Sequence, residues 1–178
     1  PKSVSHAGLV LDKKDVVDAH NEAVKKTMDY VQSLAQARVY NEKGERVKQD
    51  TNKLLYASAT HSTSRATAGN LPDPSLHTHN VIMNTTQDKD GKFVSLCADK
   101  IYQNQSVINK VYKNELANQL KERGYALDFN KKGNFELSGY DKETLDNFSK
   151  RKNEIDKQVE QMRTDPKFAG KTEKELRD

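Results

Sequence analysis

The chain has 178 residues, of which 31% are charged and 34% are hydrophobic, and its formal net charge is +4. This length supports one domain with a buried core and excludes two large domains. The hydrophobic residues recur in periodic blocks, which excludes a disordered chain, while the mild basic excess favours a polyanionic partner only slightly.

Cys97 is the single cysteine of the chain. It excludes an internal disulfide and fits a reducing cytoplasm, and the apolar run over residues 93–98 predicts a buried small side chain rather than a catalytic thiol. No stretch approaches the ~20 apolar residues that a membrane span needs. Nothing resembles a signal peptide.

Strand patterns fill much of the first hundred residues, as runs of apolar and β-branched side chains bounded by turn residues. These runs cover residues 1–10, 38–40, 47–49, 53–62, 75–84 and 92–98. Gly44 marks a hairpin turn between the second and third runs, and residues 88–91 mark another turn. Residues 63–74 contain a glycine and two prolines, so we expect a loop there.

Helices are predicted over residues 13–37 and 104–123, where apolar side chains recur at three- and four-residue spacing. The second helix should end at Gly124 and lead into a hairpin over residues 125–138. Later helix caps are indicated at Asp141, for a last long helix, and at the pair Thr172 and Glu175. Together the elements indicate an α+β fold, a two-layer sandwich with a central antiparallel sheet and helices packed on it. We expect one domain over residues 1–178.

Three histidines form the candidate site. Side chains alternate along a strand, so His77 and His79 point to the same face. If residues 53–62 pair antiparallel with residues 75–84, His61 comes level with them, and we expect the three imidazoles to hold one divalent ion with a position left open. A pair of strand histidines alone is also common on plain surfaces. His20 is interpreted as a packing or surface residue, and His6 is left undecided between packing and proximity to the site.

Three neutral imidazoles leave the full 2+ charge of a bound ion available to its substrate. That charge suits a phosphodiester, whose non-bridging oxygens become more negative during reaction. Nitrogen ligands favour Mn, Ni, Zn or Cu over Mg on affinity, so cellular supply is expected to decide the working metal.

The stretch from Thr60 to Asn84 resembles the signature of conjugative relaxases of the TraI/TrwC (MobF) kind, in the HUH endonuclease superfamily. The resemblance rests on segments that match in order and span roughly residues 1–160. They are Pro1–Ser5, His61, Thr63–Arg65, Asp73–His79, Asn84, Tyr112–Gly124, Phe135–Gly139 and Phe148–Arg151.

This resemblance implies an enzyme that nicks one DNA strand at a plasmid transfer origin. A tyrosine hydroxyl attacks the scissile phosphate and becomes joined to the 5′ end, and His61, His77 and His79 hold the metal. Implied with it are Mg or Mn as the metal in the cell, with Ni or Zn as alternatives. The implied partners are single-stranded DNA and the conjugation machinery of a type IV secretion system, in the bacterial cytoplasm, with no membrane insertion. The implied fold is again a two-layer sandwich around an antiparallel sheet.

The family's nucleophilic tyrosines precede the segment that resembles Pro1–Ser5, so the role passes to none of the seven tyrosines here. We expect the chain to be most of a relaxase domain that lacks its N-terminal nucleophile segment and is inactive alone. Residues 163–178 are expected to begin a linker or a next segment. Arg65 and Lys2 are the candidate DNA contacts.

Two other functions remain open. One is a non-catalytic module that binds single-stranded DNA. The other is a metal-dependent phosphodiesterase that uses water, which would need a general base near the metal. Asp73 is the nearest acid in sequence, but Pro74 beside it favours a role in forming the turn.

Overall fold

The computed structural model of the protein describes residues 1–66, 71–148, 150–168 and 170–177. The helices are α1 (Lys2–Leu9), α2 (Lys14–Ser33), α3 (Asp99–Gln103), α4 (Gln105–Glu122), α5 (Lys142–Asn147), α6 (Lys150–Thr164) and α7 (Glu173–Arg177), with a 3-10 turn at Pro166–Phe168. The strands are β1 (Gln36–Tyr40), β2 (Arg46–Asp50), β3 (Tyr56–Thr63), β4 (Pro74–Ile82), β5 (Thr86–Gln87), β6 (Phe93–Val94), β7 (Leu96–Cys97), β8 (Leu127–Phe129) and β9 (Phe135–Leu137).

All strand pairs are antiparallel within these ranges. They form a three-stranded sheet in the order β2–β1–β7 and two-stranded sheets β3–β4, β5–β6 and β8–β9. The predicted α+β class, with antiparallel strands and helices packed on them, is confirmed. No helix in the described ranges is long and apolar enough to cross a lipid bilayer.

The core lies where α2 and α4 pack together beneath α1. Val16, Leu116 and Leu120 are fully buried there, because apolar residues three and four apart give each helix one buried stripe. Phe135 and Leu137 of β9 close the same cluster. This helical layer supports one face of the β3–β4 sheet, which carries the candidate site.

The strand predicted over residues 1–10 is wrong, because these residues form α1. Val4, Ala7 and Gly8 are buried at helical spacing, a pattern that the Ser-Val-Ser alternation hides at sequence level. Gly8 allows α1 to lie close to α2, since a Cβ there would stand 3.1 Å from Cγ2 of Val17. Packing against α2 and β4 thus outweighs the local strand preference.

Further boundaries differ from prediction. The helix predicted over residues 13–37 is α2, which ends at Ser33, and β1 already begins at Gln36. Residues 53–55 lie outside β3, and the run over 92–98 is divided into the two short strands β6 and β7. The helix α3 was missed. Asp141 does cap a helix, accepting from the Thr144 N–H at 2.6 Å, but that helix is α5, which ends before α6 begins.

Several local predictions are confirmed. Gly124 ends α4 with a φ of 84°, and both hairpins form around their predicted turns. The capping box is present, with the Thr172 N–H donating to Glu175 at 2.8 Å. Cys97 is buried.

Candidate metal centre

The β3–β4 ladder brings His61 and His77 directly opposite each other. His79 stands opposite Ala59, one side-chain step further along the same face. Beyond His61 the register shifts, so that Thr63 meets Pro74 and the strands separate into the connecting loop. The register expected from the sequence is therefore present, and it sets three imidazoles on one face.

The spacing of the rings fits ligands of one ion. The centroids of His61 and His77 are 5.4 Å apart, and each lies 5.0 Å from the centroid of His79. An imidazole nitrogen binds a transition metal at about 2.1 Å and its ring centre lies about 1.1 Å farther out, so three rings around a tetrahedral ion have centres about 5.2 Å apart.

The rings are spaced for an ion but not yet turned toward one. His61 and His77 are stacked at 24°. In the described part of the chain, no three His, Cys, Asp or Glu side chains already form a metal-holding arrangement.

One ring already has its nitrogens assigned by a hydrogen bond. His77 Nδ1 lies 2.9 Å from the backbone oxygen of Ser75, and a carbonyl can only accept, so Nδ1 carries the proton. The Nε2 lone pair is then left for a metal, as is common when a backbone carbonyl orients a ligand histidine. His61 and His79 are exposed and His77 is half-buried, so substrate can reach an ion held here.

The opposite face of the two strands carries a chain of hydrogen bonds that we call the back-face network. Thr78 lies between the two β4 histidines and faces α2, where His20 Nε2 reaches its Oγ1 at 2.8 Å. His20 Nδ1 bonds the hydroxyl of Tyr112 on α4 at 2.8 Å. Thr78 Oγ1 also lies 3.0 Å from Thr60 Oγ1 on β3. Burial, with nearby positive charge, lowers the pKa of His20 to about 4, so it is neutral at pH 7.

The remaining candidates lie elsewhere. His6 bonds the hydroxyl of Tyr140 at 2.8 Å and packs on Phe148, so it is not among the site histidines. Arg65 is exposed on the segment that leaves β3. The Lys2 ammonium donates to the carbonyl oxygen of Leu145 at 3.1 Å. Asp73 is buried and pairs through its backbone with Ser64, in keeping with a role in the turn.

A family model described as TrwC relaxase matches residues 1–177. The chain belongs to the TrwC relaxase family. Among curated proteins, the chain is 34% identical to the multifunctional conjugation protein TraI of Escherichia coli K12 over an alignment of 149 residues, which covers 78% of this chain and 8% of TraI.

Solved structures agree with this assignment. A metal-bound TrwC relaxase in complex with oriT DNA is 34% identical and superposes with a TM-score of 0.86, over 99% of this chain and 59% of that one. A copper-bound TrwC–oriT complex superposes with a TM-score of 0.87 and 34% identity, over 99% of this chain and 58% of that one. A TrwC complex with a 27-mer DNA that comprises the recognition hairpin and the cleavage site superposes with a TM-score of 0.85 and 34% identity. The match covers 99% of this chain and 60% of that one. The chain thus spans less than two thirds of the length of these TrwC relatives and a small part of TraI.

The back-face network is what sequence reasoning missed in this TrwC-family chain. The sequence interpretation of His20 is a packing or surface residue. It falls, however, four residues after Val16 and three before Ala23, both of which are fully buried. That spacing places it on the buried stripe of α2. A buried histidine needs partners for both ring nitrogens, which was the available signal. The partners, on β4 and α4, could not be named without the fold.

Proposed function

We propose that this chain is the metal-binding part of a relaxase that nicks one strand of DNA at a plasmid transfer origin and so begins conjugative transfer. The observation that carries the proposal is the set of His61, His77 and His79 rings, 5.0–5.4 Å apart on one open face. Membership of the TrwC relaxase family supports it. So do the metal and oriT DNA present in the TrwC structures that superpose on this chain.

His61, His77 and His79 are the proposed ligands of one divalent ion. When bound, the ion supplies positive charge that polarises the scissile phosphate. The ligands are uncharged, so they leave that charge undiminished. The exposure of His61 and His79 lets a DNA strand approach the ligand set from solvent. The hydrogen bond from His77 to Ser75 holds one ligand in the metal-binding tautomer.

The attacking group is proposed to be a tyrosine of the relaxase outside residues 1–178. Two of the described tyrosines lie on the far side of the sheet from the histidines: Tyr112 bonds His20 behind β4, and Tyr56 shares the helix-facing side of β3 with Thr60. We propose accordingly that residues 1–178 are most of a relaxase domain. Residues 163–178 are proposed to begin a linker or a next segment.

Several finer assignments belong to the same proposal. Mg or Mn is the proposed metal in the cell, where metal supply rather than raw affinity decides occupancy, and Ni or Zn would bind the nitrogen ligands well. Arg65, exposed four residues after His61, is a proposed phosphate contact; Lys2 is a second. Single-stranded DNA at the transfer origin and the conjugation machinery are the proposed partners, in the bacterial cytoplasm.

A nicking assay on the full natural protein tests this function. The substrate is a supercoiled plasmid that carries the transfer origin of the element encoding the gene, with Mg or Mn added. We expect conversion to open circles with protein attached covalently at the 5′ end, and its loss in the double variant His77→Ala/His79→Ala. His6→Gln, which alters a histidine outside the site, should keep the activity.

The product distinguishes the other two functions. Ion-dependent cleavage that leaves no attached protein would replace the relaxase with a phosphodiesterase that uses water. Ion-dependent binding of the origin strand without cleavage would replace it with a DNA-binding module. Full activity in the double histidine variant would reject the site.

A further inference from the structure

The back-face network touches the chain beside every proposed metal ligand. Thr78 is the residue between His77 and His79, and Thr60 is the residue before His61. These two threonines are paired across the ladder, with their hydroxyl oxygens 3.0 Å apart. Because side chains alternate, a force that holds the threonines on one face fixes the direction of the histidines on the other.

In the part of the chain that the structure describes, β3 and β4 form a sheet of two strands, which is why they need such an anchor. A two-stranded sheet is only marginally stable and twists readily unless it is held by another layer. Behind β4 lies a cavity of about 670 Å³, lined among others by His20, Thr78 and Tyr112. Side chains beside a cavity have fewer packing partners, so directed hydrogen bonds carry more of the positioning there.

His20 is suited to bridge this gap. It is 2% exposed, and its neutral ring offers one N–H donor and one acceptor nitrogen, which the hydroxyls of Thr78 and Tyr112 can each match. The bridge joins α2 and α4, the most buried part of the core, to β4. An apolar side chain of similar size would fill the volume without making either bond.

We propose that His20 is a positioning residue for the metal site, which anchors Thr78 to the helical core and thereby holds the three histidines at ligand spacing. This inference rests on the proposed function, because it assumes that His61, His77 and His79 bind an ion. His20 itself contacts neither the ion nor the DNA.

The proposal is tested by titrating the intact chain with Mn in a calorimeter and measuring the Mn affinity. Loss of a partner that orients metal ligands typically weakens metal affinity 10- to 100-fold, and we expect about tenfold for His20→Leu because it acts through Thr78. Thr78→Val, which keeps the side-chain shape, should weaken binding similarly. The double variant should bind Mn no more weakly than Thr78→Val, because that change already removes the bond between Thr78 and His20.

The chain offers a matched control in His6, which also bonds a tyrosine hydroxyl at 2.8 Å but has Tyr140 and Phe148 as its partners and takes no part in the back-face network. His6→Leu should lower the melting temperature while leaving Mn affinity unchanged, which separates positioning from general stability. His20→Gln restores a donor and an acceptor and should recover part of the affinity. If His20→Leu fails to fold, Thr78→Val and His20→Gln still provide the measurement.

The outcomes separate this inference from the proposed function. Wild-type chain that binds no Mn rejects the metal site and the inference with it. Wild-type chain that binds Mn, with His20→Leu or Thr78→Val equally tight, rejects the role of His20 alone. If the losses of Mn-binding free energy in the two single variants add fully in the double variant, His20 and Thr78 act separately. That result would also overturn the inference.

Discussion

His61 of β3 lies directly opposite His77 of β4, with ring centroids 5.4 Å apart. The hydrogen-bond ladder sets this relationship, since opposite residues of an antiparallel pair present their side chains on the same face. A shift of one residue in the register would move His61 to the helix-facing side. Predictions about the ion therefore concern strand pairing as much as the histidines.

The chain should bind about one divalent ion, and His79→Ala should weaken binding by more than about a hundredfold, beyond what loss of an outer partner costs. Calorimetry with Mn, Ni and Zn measures both. Affinity should also fall as the solution is acidified, because a protonated imidazole cannot bind a cation. His6→Gln is the control. Equal binding by wild type and His79→Ala would remove His79 from the ligand set.

Single-stranded DNA should bind more weakly as salt rises, because phosphate contacts release counterions. The slope of log affinity against log salt is negative, and each lost phosphate contact reduces its magnitude by about 0.7 for single strands. We expect that decrease for Arg65→Ala, measured by fluorescence anisotropy of a labelled transfer-origin oligonucleotide. Lys132→Ala removes one exposed positive charge from the β8–β9 turn and should leave the slope unchanged. Identical slopes for the two variants would assign Arg65 to solvent.

Residues 1–178 alone should form no covalent adduct with DNA. A nucleophile must approach the phosphorus to roughly 3–3.5 Å, and the hydroxyls of Tyr112, Tyr125 and Tyr140 are hydrogen-bonded to His20, Asp15 and His6 respectively. Burial raises the pKa of Tyr112 to about 12 and also raises the pKa of Tyr125 and Tyr140, so their phenols are harder to activate. Incubation with a transfer-origin oligonucleotide and Mn, followed by a denaturing gel, reveals any attached band.

A band that disappears when one of the seven tyrosines is changed to Phe would identify that residue as the nucleophile. The proposal of an attacking tyrosine outside these residues would then be wrong. Adduct formation by the full natural protein, under the same conditions, serves as the positive control.

Acid should destabilise the metal-free protein through His20. Burial, the larger cause, and nearby positive charge lower its pKa to about 4 in the folded state, against about 6.5 in an unfolded chain. Between these values the unfolded state binds the extra proton, so the free energy of unfolding falls as pH drops from about 6.5 toward 4. Urea unfolding with a chelator at several pH values should show a shallower dependence for His20→Leu. Equal dependences would place the acid sensitivity in other groups.

The sequence predicted best where periodicity was long or chemistry local. The α2 stripe, the Gly44 hairpin and the register of His61 against His77 follow from spacing and turn residues. The helix α1 was missed because Ser, Ala and Gly on its buried side gave no apolar periodicity. Those small residues are chosen by close packing against α2 and β4, which only the assembled fold displays.

The candidate site also has one part that the sequence predicts and one part that needs the assembled fold. His77 and His79 can be paired from their spacing alone, but the spacing gives no role to Thr78 between them. Its role depends on His20, 58 residues earlier in the chain, and on Tyr112, 92 residues after His20. Contacts at such separations leave no local pattern in a single sequence.

The position of the proposed ligands on two strands has a mechanical consequence. An ion held by His61, His77 and His79 is a reversible cross-link between β3 and β4 at the base of the loop that joins them. A cross-link that closes a loop reduces the conformational entropy of the unfolded chain. Filling the site should therefore slow amide exchange in β3 and β4 far more than in α2 or α4. Metal supply would then govern how rigid the surface that carries the three histidines is, as well as how reactive.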